Sequence, residues 1–197
     1  LNFGLAAEKA RLLGLDVEMV IVDDDVALPS DIQARGIAGT LFVHKVAGAL
    51  AETGKDLLAI SEIAKSVASS VYSLGISLDT CTLPGMTKEG RIQSGMAELG
   101  LGIHGEPGAK IVQHSGAKGA IEILLTELQK SIDDVGRYAM LLNNLGGCTP
   151  IEMAILTEEI AKSPMANNIV CLIGPGALMT SLDMHGFSIS VLRLTEQ

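Results

Sequence analysis

His104 lies in the stretch LGLGIHGEPGAK, residues 99–110, among four glycines and just before a Gly-Glu-Pro-Gly turn. Glycine at 102 and 105 admits positive φ and carries no Cβ, so another molecule could come close to the imidazole. A free imidazole has a pKa near about 6.5 and is largely neutral at pH 7, with one nitrogen lone pair available. That nitrogen could serve as base, ligand or nucleophile. From spacing alone, a structural turn histidine and a functional one both remain open.

Other constellations are weaker. Gly100-Leu-Gly102-Ile-His104-Gly105 matches G-x-G-x-x-G, but that fingerprint needs a helix to open behind it, and Pro107-Gly108 breaks one. No G-x-x-x-x-G-K-[ST] phosphate loop occurs. Asp23, Asp24 and Asp25 could ligate Mg²⁺ at a strand end; the plainer reading is a solvated loop or a cap for the following turn. His44 lies in a helical pattern and reads as a packing residue, while His114 and His185 read as surface positions. Asn143-Asn144 and Gly146-Gly147 suit a tight turn, with ligand contact the lesser reading. No Ser-His-Asp order or metal-ligand spacing stands out.

The elements that must hold these residues follow from periodicity. Apolar spacing predicts helices over 3–13, 40–52, 56–73, 118–131 and 150–162. Strands are expected over 16–22, 76–83, 96–103, 137–142, 169–173 and 187–194, with an exposed loop over 84–96. Alternating strands and helices argue an α/β domain with a parallel or mixed sheet flanked by helices. At 197 residues, 48% of them hydrophobic, the chain can bury one sizeable core.

Charge narrows the partners. A net charge of −9 and only 3% aromatic residues oppose nucleic-acid binding, since neither a basic footprint nor stacking platforms are present. Cys81, Cys148 and Cys171 form no CxxC pair and read as free thiols, the usual state in the cytoplasm. Apolar windows are short, so no membrane span is expected. The N-terminus has no signal-peptide pattern and no initiator Met, and the chain is expected to be a piece of a longer protein.

The string GLGIHGEPGA resembles the signature around the substrate histidine of dihydroxyacetone kinases, in their substrate-binding K domain. LNFGLAAEKARLLGLDVEMVIVDDDVAL, RGIAGTLFVHKVAGALAE, LGISLDTCTLPG, LLNNLGGCTPIEM and TSLDMHGFSISVL agree in order, so the similarity covers almost the whole chain. The resemblance implies a mixed-sheet α/β fold over residues 1–197, the C-terminal part of a K domain whose upstream half lies outside this chain. It implies that a ring nitrogen of His104 adds to the ketone of dihydroxyacetone and holds it as a hemiaminal. Such a handle would discriminate against glycerol, which has no electrophilic carbon.

Further expectations come with it. The family's phosphoryl donor, ATP-Mg or a phosphotransferase-system protein, sits on a separate L domain or subunit, so this chain would bind no nucleotide or metal and would be inactive alone. An acid/base aspartate of the family falls just before residues 1–3, outside the chain. A cytoplasmic homodimer is implied. LIGPGALMTSLDM, with Gly174-Pro175-Gly176, is longer than the family's usual segment. The competing class is a non-catalytic K-like module that dimerises or senses a ligand.

Overall fold

The computed structural model describes residues 2–28, 34–100, 102–104, 106–133 and 135–195. Its centre is a mixed six-stranded sheet. The strands are β1 (Val71–Ser77), β2 (Met96–Leu99), β3 (Lys110–Gln113), β4 (Tyr138–Asn144), β5 (Ile169–Gly176) and β6 (Gly186–Arg193). They lie in the order β3-β2-β1-β6-β4-β5. Only β4 and β5 pair in parallel; β6 runs antiparallel to both β1 and β4. The expected mixed α/β architecture is therefore present.

Helices α1 (Asn2–Leu12), α2 (Thr40–Glu52), α3 (Leu57–Ala68), α4 (Gly116–Leu128) and α5 (Pro150–Lys162) complete the described fold. α5 starts where it does because Thr149 and Glu152 form a reciprocal capping box with Pro150 at the first helical position. α3 starts at Asp56, whose side chain accepts from Ala59 N at 2.9 Å.

Successive strand residues point to opposite sides, so register separates two faces. On one, Leu74, Ile76, Met140, Leu142, Phe187, Ile189 and Val191 pack against α4 and α5 as one buried aliphatic cluster. On the other, Val71, Ala139, Leu141 and Leu192 pack with Ala38 and Phe42 near α2. Further along that second face the residues turn small and polar. Ser73, Ser77, Asn143, Ser188 and Ser190 are all buried there.

Two expected elements are corrected. Residues 16–22 form no ladder; Val20 and Val22 pack instead on a cluster of Val43, Ala64 and Ala68 from α2 and α3. The alternation was real, but it faces helices, and only Asp25 bridges to Ser73. The helix expected to reach 73 ends at Ala68, and the strand expected at 76–83 is β1, at Val71–Ser77. β1 is buried on both faces, so its Ser and Gly residues imitate a turn signal. β3 was not anticipated, and β2 stops at Leu99. No described helix is long and apolar enough to cross a membrane.

Candidate functional site

The glycine loop leaves the sheet at the end of β2 and is clamped from below. Gly100 adopts φ +71°, and its N–H donates to Gly75 O at 2.7 Å. A Cβ there would strike Ala27 Cβ, so glycine is required twice over. Asp25, buried, accepts from Ala27 N at 2.9 Å and pairs with Arg35 at 2.6 Å. Arg35 then donates to Gly100 O at 2.7 Å. A charged chain thus runs from a buried carboxylate to the base of the loop.

The other glycines serve compactness rather than openness. A Cβ on Gly102 would collide with the Glu106 carboxylate and lie 2.8 Å from Arg35 Nη1. Gly108 presses on Glu98, whose Oε1 accepts from Gly108 N at 3.1 Å while Oε2 meets Arg91 at 3.0 Å. The expectation of bare backbone on both sides of His104 is corrected for Gly102; Gly105 lies outside the described residues.

His104 itself projects outward, its side chain 79% exposed. Its backbone N–H donates to Glu106 Oε2 at 3.0 Å, and its ring Nδ1 lies 3.2 Å from Oε1. Burial pushes the Glu106 carboxyl up, but its own N–H and the His104 ring and N–H outweigh this, leaving its pKa below the ordinary value. An ionised carboxylate only accepts, so Nδ1 carries the proton and Nε2 of the neutral ring keeps its lone pair. Ile103, one residue earlier, borders a narrow cleft of about 10 Å³ with Ile37, Ala38, Gly75, Asn143 and Ser188, room for roughly one water. The loop therefore sits over the polar part of the sheet.

Asn143 secures that part. Its amide oxygen accepts from Leu178 N and Met179 N at 3.0 and 2.9 Å, and its nitrogen donates to Met179 O at 2.7 Å. The segment so held brings Ser181 Oγ to Ile103 O at 2.5 Å. Glu106 and Arg35 were not singled out from sequence, and Asn143, expected in a tight turn, lies instead within β4. The i to i+2 spacing of His104 and Glu106 was a usable signal; the 65-residue gap between Arg35 and Gly100 offered none.

The remaining candidates resolve structurally. Asp23 is exposed, whereas Asp24 is buried and accepts from Ile37 N and Gly39 N at 2.7 and 2.8 Å, beside the start of α2. The turn-cap reading holds for Asp25, which accepts from Ala27 N, and not for Asp24; the solvated-loop reading fails for both. His44 is exposed rather than packed, and His114 and His185 are half-buried rather than on the surface. Asn144 makes the expected turn, its Oδ1 accepting from Gly146 N at 2.8 Å and Cys148 N at 3.2 Å. Burial, with the Glu152 charge second, pushes the Cys148 thiol up to about 11, so it is no nucleophile at neutral pH. All three cysteines are free. A cleft of about 540 Å³ lies between α4 and α5 and is lined by Lys118, Glu122, Glu159 and Lys162 rather than by the glycine loop.

Fold and loop define a class: a mixed-sheet α/β domain presenting a carboxylate-oriented histidine over a polar sheet face. Residues 1–197 match the Dak1 domain, and the chain belongs to that family. It is 48% identical over 197 residues to the dihydroxyacetone kinase of Citrobacter freundii, covering 100% of this chain and 36% of that protein. It is 35% identical over 206 residues to human triokinase/FMN cyclase, again covering 100% of this chain and 36% of the other. The crystal structure of the C. freundii enzyme with AMP-PNP and Mg²⁺ superposes with a TM-score of 0.94, over 100% of this chain and 37% of its own. A dihydroxyacetone kinase operon co-activator, 27% identical, superposes with a TM-score of 0.90 over 98% of this chain and 62% of its own. The chain thus spans about 36% of the length of the curated relatives it matches.

Proposed function

We propose that this domain binds dihydroxyacetone as a hemiaminal on His104, for phosphorylation by a donor carried on a separate L domain or subunit. The observation that carries the reading is the His104–Glu106 pair, 3.2 Å apart through Nδ1, with the ring exposed and Nε2 without a hydrogen-bond partner among the described residues. The Nε2 lone pair adds to the central carbonyl carbon, and the C–O π pair becomes an alkoxide. The Nδ1 proton passes to Glu106, and the alkoxide takes a proton from solvent. Nothing is oxidised or reduced. The addition needs the nitrogen about 3 Å from the carbon in a fixed orientation, and the Asp25–Arg35–Gly100 clamp supplies rigidity.

The donor side of the reading rests on relatives. The C. freundii structure contains AMP-PNP and Mg²⁺, which favours ATP-Mg over a phosphotransferase-system protein. This chain carries no Walker loop, consistent with donor binding elsewhere and with no turnover by residues 1–197 alone. A homodimer in the cytoplasm belongs to the same proposal. The second reading, a ligand-sensing module without phosphoryl transfer, is favoured by the similarity to the operon co-activator.

The experiment is phosphorylation of dihydroxyacetone by the complete gene product with ATP and Mg²⁺, paired with a dihydroxyacetone-soaked crystal. Turnover together with continuous density from Nε2 to the central carbon supports the kinase. An adduct without turnover supports the sensor. Neither adduct nor turnover removes both.

A further inference from the structure

One group of metal-ligating side chains lies outside the His104 site. Cys148, Glu152 and His185 meet where the N-terminal turn of α5 faces the start of β6. Their ligand atoms all lie within 4.8 Å of one another, and each residue is half-buried. His185 Nε2 is 2.9 Å from Glu152 Oε1, and Cys148 Sγ is 3.2 Å from Gly186 O. The other carboxylate oxygen, Oε2, accepts from Thr149 N at 2.7 Å and Thr149 Oγ1 at 2.8 Å, so the capping box aims Oε1 at the histidine. The three side chains and His114 line one cavity of about 250 Å³, walled elsewhere by Leu78, Leu156 and Phe187. His114 Nδ1 is buried and has no hydrogen-bond partner among the described residues.

We propose that Cys148 Sγ, Glu152 Oε1 and His185 Nε2 form a binding site for a zinc-class divalent cation, with a fourth position open to that cavity for water. Bonds of about 2.0–2.3 Å in a tetrahedron put ligand atoms on the order of 3–4 Å apart, so small side-chain shifts close the site. One thiolate, one imidazole and one carboxylate suit zinc or cobalt and not magnesium or calcium, which take oxygen ligands. Binding converts the thiol to a metal-bound thiolate with release of one proton to solvent, while the imidazole presents its Nε2 lone pair with the ring proton on Nδ1. No electrons are transferred. Thr149 then acts as the partner that orients the ligating carboxylate. The bound ion ties α5 to the strand that follows Ser181, the residue bonded to Ile103 beside His104.

The test is cobalt(II) titration of the complete, chelator-stripped gene product. The expected result is a near-ultraviolet thiolate-to-cobalt charge-transfer band that saturates at one ion per chain and disappears on adding zinc. Cys148→Ala should abolish the band. Glu152→Gln, which keeps a capping-box residue, and His185→Gln should each weaken binding at least about tenfold, as expected when a ligand or its orienting partner is lost. Folding is checked by circular dichroism, so a misfolded Cys148→Ala leaves the decision to the other two variants. A wild type with no thiolate band, or a band unchanged in the correctly folded variants, overturns the site.

Discussion

Near the glycine loop, the two faces of the sheet are built from opposite materials. Toward α4 and α5, eight strand side chains from β1, β4 and β6 join one apolar cluster with buried residues of both helices. Toward the glycine loop, the same three strands present Ser73, Ser77, Ser188, Ser190 and Asn143, all buried and polar. The aliphatic face gains by removing apolar area from water and demands no particular partner. The polar face gains little from burial and must satisfy each group individually. One face holds the fold together; the other shapes the ground beneath His104. Variants should therefore separate stability from ligand capture according to the face they touch.

The largest expected effect tests that separation at its extreme. His104→Ala should abolish covalent capture of dihydroxyacetone while leaving the unfolding midpoint unchanged, because the side chain is 79% exposed. Wild type should prefer dihydroxyacetone over glycerol, and the variant should bind both weakly and similarly. Capture by wild type should fade as pH falls into the range where imidazoles protonate, since the lone pair is then occupied. Calorimetric titration with both ligands measures this; retained discrimination in the variant would reduce His104 to a turn residue.

On the opposite face, Leu142→Ala should do the reverse. Leu142 is fully buried within the aliphatic cluster, and its truncation should cost about 2–5 kcal/mol through lost transfer energy and a residual cavity. Urea unfolding with an unchanged m-value measures it. Ligand affinity of the folded fraction should stay within a small factor of wild type. A loss below about 1 kcal/mol would mean the cluster relaxes freely, against the packing described.

Asn143→Ala should affect both properties. It strips partners from Leu178 N, Met179 N and Met179 O, costing about 1–3 kcal/mol for groups left unpaired. It also loosens the segment through which Ser181 reaches Ile103. Capture should weaken in the folded fraction, unlike in Leu142→Ala. Equal behaviour of the two variants would erase the distinction between the faces.

The aliphatic face was legible in the sequence and the polar one was not, for a physical reason. Leu124, Leu125 and Leu128 advertise their helical stripe, and a parallel or mixed sheet follows from the alternation of elements. The two serines and one glycine of β1 look like a turn until one knows that a second layer covers them. The Gly-rich histidine loop was visible as a motif, but its meaning was partly inverted: Gly102 packs against Glu106 and Arg35 instead of opening a path. Arg35, Asn143 and the Cys148–Glu152–His185 cluster depend on contacts 33 to 65 residues apart. No local pattern encodes those. The strand expected at 16–22 failed because alternation records burial on one side, and here the covering surface is helical.

The smallest effect lies in the deepest polar group. Ser73 Oγ and Ser190 Oγ share a hydrogen bond at 2.6 Å, with both residues fully buried, and the single Ser73 proton can serve either Ser190 or Asp24. Beside them Asp24 has a raised pKa: burial dominates, opposed by the Ser73 side chain and the N–H groups of Ile37 and Gly39. A folded pKa above the unfolded one means that the protonated carboxyl stabilises the fold fully below the unfolded value of 3.8, and that this contribution is lost as pH rises through the raised value. Ser73→Ala removes one hydrogen bond to the ionised form and should lift that pKa further. Its cost should be about 1 kcal/mol at neutral pH, the ordinary net value of one buried hydrogen bond, and should shrink toward zero on acidification. Ser190→Ala should cost less, because the Ser73 hydroxyl can still turn to Asp24. Unfolding free energies of wild type and both variants, taken from pH 4 to pH 8, measure the difference directly, while the lowered groups Glu106 and Glu152 contribute equally to all three and cancel. A Ser73→Ala penalty that stays flat from pH 4 to pH 8 would show that Asp24 is held ionised throughout by its backbone donors, and that the polar face tolerates a buried charge where the aliphatic face could not.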